Sequence, residues 1–171
     1  MEQITKKEAR KEAYKLIKNN DSAISSMIVI KRLIESKILE KYNNIGIYYP
    51  IGNEISVISL VEYYKDKSFY LPITKDKLYF SKYNYLDKLV DGPFNTKEPN
   101  GPITKRDDIE CFIIPCVAIS NNKRIGYGKG FYDKYLEGYK GLKIGVCYKN
   151  TSGFNCLMDE FDVNLDMIFV G

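Results

Sequence analysis

Residues 124–134 read Arg-Ile-Gly-Tyr-Gly-Lys-Gly-Phe-Tyr-Asp-Lys, which places three alternating glycines, several cations and a carboxylate in one short run. Without side chains at Gly126, Gly128 and Gly130, the backbone can approach an anion closely, adopt positive φ and turn successive N–H groups towards it. Arg124, Lys129 and Lys134 supply charge suited to a polyphosphate. Asp133 offers the oxygen ligand that a hard divalent cation takes. The spacing is neither the G-x-G-x-x-G of a dinucleotide site nor the Gly-Lys-Ser/Thr of a P-loop. From the loop alone, the competing account is a tight turn with solvated cations, in which Asp133 merely complements a helix dipole.

The elements around the loop favour a site. Residues 111–119 are apolar and β-rich, and Phe131, Tyr135 and Leu136 recur at helical spacing, so the glycines fall where a strand feeds a helix. The start of such a helix adds donors and partial positive charge. A second group of cations lies near the N-terminus. Thr5-Lys6-Lys7-Glu8 is a capping box that predicts a helix from Lys6 to about Asn19. On its wheel Lys7, Lys11, Lys15 and Lys18 share one side, whereas Lys6 and Arg10 fall on the stripe of Ala13 and Ile17. Two cations bordering a buried face point into a site that another element completes, or snorkel at a core edge.

A second helix is expected over residues 22–40, with Ile24, Met27, Ile28, Ile34 and Ile38 facing the core, and a third over residues 55–65. Residues 44–50 read as a buried strand ending at Pro50, and Glu54 follows in a strand-to-helix loop. Open α/β sheets place ligand contacts in such loops, though an acid near a helix start has a structural use as well. Residues 68–72, 78–81, 142–148 and 165–170 are further strands, and the polar stretch 87–108 is long enough to be a lid or binding loop. Strands alternating with helices predict an α/β layered fold with a largely parallel sheet of five or six strands.

Composition narrows the chemistry. With 171 residues the chain suits one domain, and 44% hydrophobic with 28% charged residues is ordinary for a soluble protein. A net charge of +4 with dispersed basic residues suits an anionic small molecule better than nucleic acid. No histidine occurs, which removes Ser-His and Cys-His nucleophilic catalysis and the usual transition-metal ligands. Four cysteines form no C-x-x-C pair and read as buried free thiols. Neither a signal core nor a membrane-length apolar run is evident, so a cytoplasmic protein without membrane contact is expected. A tyrosine-rich RNA-binding domain is a rival reading, on 15 tyrosines and many lysines.

Several segments carry a wider likeness. They are Lys6-x-x-x-Arg10, residues 48–54 (Tyr-Tyr-Pro-Ile-Gly-Asn-Glu), Leu71-Pro72, Leu78-x-Phe80, residues 92–99 (Gly-Pro-Phe-Asn-Thr-Lys-Glu-Pro), residues 113–118 and Phe161-Asp162-x-x-Leu165-Asp166. With 124–134, which is similar to R-L-G-x-G-x-G-Y-Y-D-R, they resemble the 5-formyltetrahydrofolate cyclo-ligase (methenyltetrahydrofolate synthetase) family over nearly the whole chain. The resemblance implies a single-domain α/β sandwich of the NagB/RpiA/CoA-transferase type. It also implies an enzyme that uses ATP and Mg2+ to cyclise 5-formyltetrahydrofolate, as a monomer or a homodimer. The alternative is a protein that binds ATP and folate without turnover. The resemblance further assigns ATP contacts to Lys6, Arg10, Arg124, Ile125, Gly126, Tyr127, Gly128, Lys129, Gly130, Phe131, Tyr132 and Lys134, with Arg124, Lys129 and Tyr132 catalytic. Folate contacts fall to Pro50, Glu54, Phe94, Glu98 and Tyr132, and magnesium to Asp133 and Asp162. The chain departs from the family pattern at Phe161 (often His), Cys116 (Gly), Ser120 (Asp), Asn95-Thr96 (Gly-Ile) and Lys134 (Arg).

Overall fold

The computed structural model describes residues 2–171. Its centre is a seven-stranded sheet in the order β11-β10-β7-β1-β2-β3-β6. These strands are β1 (Asn44–Gly46), β2 (Ser68–Thr74), β3 (Leu78–Tyr83), β6 (Ile103–Thr104), β7 (Cys111–Pro115), β10 (Leu142–Cys147) and β11 (Met167–Val170). The five from β11 to β2 run parallel, and β3 and β6 are antiparallel additions at one edge. The expected five or six strands become seven because β6 forms within residues 87–108, expected as a loop, and pairs with β3; β2 and β3 themselves join through a turn at residues 75–77. So short a link permits only antiparallel pairing, and its register sets Thr74 opposite Leu78.

Both faces of the sheet are covered, which explains the continuous burial of β7. One cluster contains Val29, Leu33, Ile45, Val57 and Ile113, and the other Phe80, Phe112, Ile114, Tyr139 and Leu165. Gly46 lets the Phe112 ring lie against β1, since a Cβ there would sit 2.3 Å from that ring. Cys111, Cys147 and Cys156 are buried free thiols, and Cys116 is half-buried.

Helix α1 (Lys6–Ile17) starts at the predicted residue, and its capping box is complete: the Glu8 N–H donates to Thr5 Oγ1, and the Thr5 N–H donates to Glu8. Ala9 and Ala13 pack on Val117, Ala118, Ile125 and Cys156. Their small size brings the α1 backbone close, which carries Lys6 and Arg10 over the sheet's end.

Helix α2 (Ser22–Ser36) departs from expectation in two ways. It stops at Ser36, because Lys37 takes the left-handed conformation (φ 59°) and a 3-10 turn, Ile38–Lys41, follows. Its buried line is Ser25, Val29 and Leu33, whereas Ile24, Met27 and Ile28 are exposed, Met27 to 72%. Apolar residues surround most of this helix, so periodicity left two stripes available, and packing against β11 selected the second. The third helix is also shorter than expected: only Leu60–Tyr63 (α3) is helical, with Leu60 in the core, and Ile55 and Val57 enter the core from the irregular segment before it.

Residues 87–108 are not one open loop. They fold into a ribbon of β4 (Val90–Asp91) and β5 (Lys97–Glu98), strand β6 and a 3-10 turn at Arg106–Asp108. A separate hairpin, β8 (Ala118–Ser120) with β9 (Lys123–Ile125), turns at Asn121 and Asn122 with φ of 47° and 64°. Asparagine tolerates the left-handed region that such tight hairpins require.

Candidate active site

Because β1 lies between β7 on one side and β2 on the other, the chain leaves the carboxyl ends of β1 and β7 in opposite directions. A crevice opens there in open α/β sheets. A cavity of about 240 Å3 occupies this position. Its walls come from Tyr48, Tyr49, Ile51 and Glu54 beyond β1, Pro72 and Thr74 of β2, Pro115 of β7, and the glycine loop after β9.

The β8–β9 hairpin aims that loop. Arg124 is buried; its Nε donates to the Pro115 carbonyl at 2.7 Å, and its guanidinium lies 4.5 Å from the centre of the Tyr132 ring. Gly128 (φ 98°) and Gly130 (φ 72°) adopt the left-handed backbone that the sequence predicts. Gly126 serves differently: a Cβ there would fall 2.3 Å from Arg124 Nη1, so the missing side chain is space for the guanidinium. The helix after the loop, α4 (Phe131–Tyr135), has only five residues, so its macrodipole adds little. Charge at the loop therefore comes mainly from side chains.

Helix α1 supplies part of it. Arg10 Nε donates to the Gly126 carbonyl at 2.7 Å, and Lys6 Nζ donates to both oxygens of Asp162, at 2.7 and 2.9 Å, and to Asp159 at 2.9 Å. Burial pushes the Lys6 ammonium down, but the bonds and charge of Asp162 and Asp159 outweigh it and hold its pKa above the ordinary value. Asp162 also accepts the Asp159 N–H, and Asp133 Oδ1 accepts the Val163 N–H at 3.1 Å.

On the opposite wall, Glu54 accepts the Ile51 N–H at 2.7 Å. Burial raises its pKa, against the lowering effect of Ile51, the Tyr127 hydroxyl and Arg124. Burial also raises the hydroxyls of Tyr127 and Tyr132 well above the usual phenol range, so both are donors at neutral pH. The Cys116 thiol is pushed up to about 11 by burial, partly opposed by Arg124.

A model of the 5-formyltetrahydrofolate cyclo-ligase family matches residues 4–171. The chain belongs to that family. Among curated members, the 5-formyltetrahydrofolate cyclo-ligase of Mycoplasma pneumoniae is 34% identical over 129 residues, covering 72% of this chain and 70% of its own. That of Haemophilus influenzae is 28% identical over 141 residues, covering 75% of each. The 5,10-methenyltetrahydrofolate synthetase of Aquifex aeolicus superposes with a TM-score of 0.84 at 27% identity, over 96% of this chain and 89% of that one. The enzyme of that name from Mycoplasma pneumoniae gives 0.78 at 26% identity, over 96% and 97%.

Most residues that the cyclo-ligase resemblance singles out meet at this cavity: Lys6, Arg10, Glu54, residues 124–133 and Asp162 all line it. Four lie elsewhere. Glu98 is buried and accepts the Thr74 N–H at 2.8 Å, so its carboxylate is used in holding the β4–β5 ribbon against β2. Lys134 faces a neighbouring groove, and Pro50 lies off the wall. Phe94 is exposed, at φ 58°, with Lys129 Nζ 5.7 Å from its ring. Sequence reasoning missed Pro72, Thr74, Leu78 and Thr96 as wall residues. The proline inside a strand run was a signal, since strand prolines mark the places where ladder bonds stop.

Proposed function

We propose that the chain catalyses the ATP-dependent cyclisation of 5-formyltetrahydrofolate to 5,10-methenyltetrahydrofolate, releasing ADP and phosphate. The observation that carries the reading is the convergence of the glycine loop, Lys6 and Arg10 with the Glu54 wall around one cavity in a chain of this family. An amide-like formyl oxygen is a poor leaving group. Moving the γ-phosphoryl of ATP onto it gives an iminium phosphate, N10 attacks the formyl carbon, and the oxygen departs as phosphate while N10 loses its proton. Phosphoryl transfer depends on positioning and on cations that neutralise charge spreading over the moving group.

In this reading Lys6, Arg10, Arg124 and Lys129 face the triphosphate with the amides of residues 125–131, and Lys134 adds charge from the adjoining groove. Tyr132 lies beside the reacting formyl group, with Arg124 stacked on its ring. Glu54 accepts N–H groups of the pterin, and Phe94 would pack with Tyr132 beside the reacting formyl group. Among the described residues no three carboxylates, cysteines or histidines gather as a metal site. Magnesium beside phosphates needs only one or two carboxylates, however, and Asp133 and Asp162 line the cavity together. Asp133 has one oxygen engaged by Val163, and Asp162 would share its carboxylate with Lys6. Held there, the ion would offset the charge of the phosphates. Residues 1–171 would act as one domain.

The deciding experiment mixes the protein with 5-formyltetrahydrofolate, magnesium and ATP and follows the long-wavelength absorbance of the methenyl product. Growth of that band only with ATP supports the cyclo-ligase reading. A flat trace from folded protein that binds ATP overturns turnover and leaves a binding protein.

A further inference from the structure

Helix α2 carries an apolar stripe that its own fold does not bury. Ile24, Met27 and Ile28 are exposed, and side by side they offer on the order of a few hundred Å2 of apolar surface, the size at which a patch marks a contact. A groove of about 490 Å3 runs along one side of them, between Ile30 and Ile34 of α2 and the segment that holds Ser56 and Ser59. The helix is held firmly from behind. Arg32 Nη1 donates to the Val170 carbonyl at 2.8 Å, and the Ser56 N–H donates to Ser26 Oγ at 2.8 Å. No residue of α2 lines the main cavity, so the reaction does not account for the stripe.

Spacing and charge decide what fits it. Asp21, Ile24, Ile28, Lys31 and Glu35 follow one another alternately three and four residues apart, which are the a and d places of a heptad pattern. Laid antiparallel on a second copy and centred at the level of residue 26, the pattern sets Ile24 against the partner's Ile28 and Asp21 against the partner's Lys31. A two-fold axis repeats both pairs, so apolar layers lie at the middle and an opposite-charge pair closes each end. Both charges are available for this. Asp21 is exposed and caps α2 through Oδ1, which lets Oδ2 accept from the partner's lysine. Lys31 is exposed and held only at 3.8 Å from Glu35. Parallel pairing would instead set Asp21 against Asp21 and Lys31 against Lys31. A lipid surface fits less well, because Asp21 and Glu35 offset the cations beside the stripe and no basic excess remains to attract anionic headgroups.

We propose that α2 is a self-association surface, on which two copies of this chain pair antiparallel across a two-fold axis. The patch is small, so the dimer is a weak one, with a dissociation constant on the order of 10 μM.

Sedimentation velocity of the full chain, from about 1 to 200 μM, compares wild type with Met27→Lys, Ile28→Lys and Lys31→Glu. Each variant changes an exposed side chain, and unchanged far-UV circular dichroism checks that the helix persists. The expected result is a wild type that dimerises across this range. Met27→Lys and Ile28→Lys each raise the dissociation constant at least about tenfold, and Lys31→Glu, which faces the partner's Asp21, raises it about fivefold. A wild type that stays monomeric throughout overturns the proposal and leaves the stripe to a different partner. A dimer that persists in both Met27→Lys and Ile28→Lys overturns it as well, since the interface then lies elsewhere. Dimerisation indifferent to Lys31→Glu overturns the antiparallel arrangement.

Discussion

Glu54 is where function and stability pull in opposite directions. Its raised pKa means that the folded state binds the proton more tightly than the unfolded chain. Stability from this group therefore falls as pH rises from the ordinary carboxylate value through the folded one. Glu54→Gln should keep the Ile51 N–H bond and melt no lower than wild type at pH 7, while folate affinity falls at least tenfold and ATP binding persists; calorimetric melting and paired titrations check this. In the wild type, if the ionised carboxylate grips the pterin, folate affinity should drop as pH falls through the raised pKa, and the drop should vanish in Glu54→Gln. Gly126 makes a sharper test of geometry. Its backbone is outside the positive-φ set, so alanine fits the chain but not the Arg124 guanidinium 2.3 Å away. Gly126→Ala should lower kcat by about a hundredfold in the methenyl assay, as removal of a positioned donor does, with far-UV circular dichroism unchanged.

At the level of elements, the first turn of α1 joins folding to the site. Thr5 caps the helix at the residue just before Lys6, so Thr5→Ala should cost about 1 kcal/mol in chemical denaturation and raise the KM for ATP as the turn frays. The β4–β5 ribbon is anchored by one buried carboxylate. Glu98→Ala would strand the Thr74 N–H and cost about 1–3 kcal/mol by urea unfolding, whereas a change in folate affinity without loss of stability would return Glu98 to the binding surface. Helix starts were legible because their bonds are local, as those between Thr5 and Glu8 are. The length of α2 was not, since Lys37 reverses the chain with no glycine to announce it.

For the molecule as a whole, aromatic packing joins the sheet to the site. Phe112 meets Phe80, Tyr135 and Tyr139 edge to face, with ring centres 5.0 to 5.5 Å apart. Through Tyr135 this cluster sets the seat of α4 and hence the end of the glycine loop. Phe112→Ala should cost about 3–5 kcal/mol by urea denaturation and, in protein that still folds, weaken ATP use as α4 loosens. The tyrosines that suggested a base-stacking surface have a different use here: Tyr48, Tyr70, Tyr83, Tyr139 and Tyr148 are buried.

The sequence by itself determined the α/β class, the glycine loop, the α1 cap and the two cations beside its buried stripe. Each of these is written in residues close enough along the chain to interact within one turn or one strand. Tertiary structure alone decided which stripe of α2 is buried, because two apolar faces were available and packing against β11 and the core around Leu39 and Val57 distinguishes them. It also decided that Glu98 holds a strand, that Gly126 makes room for Arg124, and that Lys6 and Asp162 meet. Those outcomes depend on contacts between residues far apart in the chain, set by sheet order and register, which local spacing does not encode.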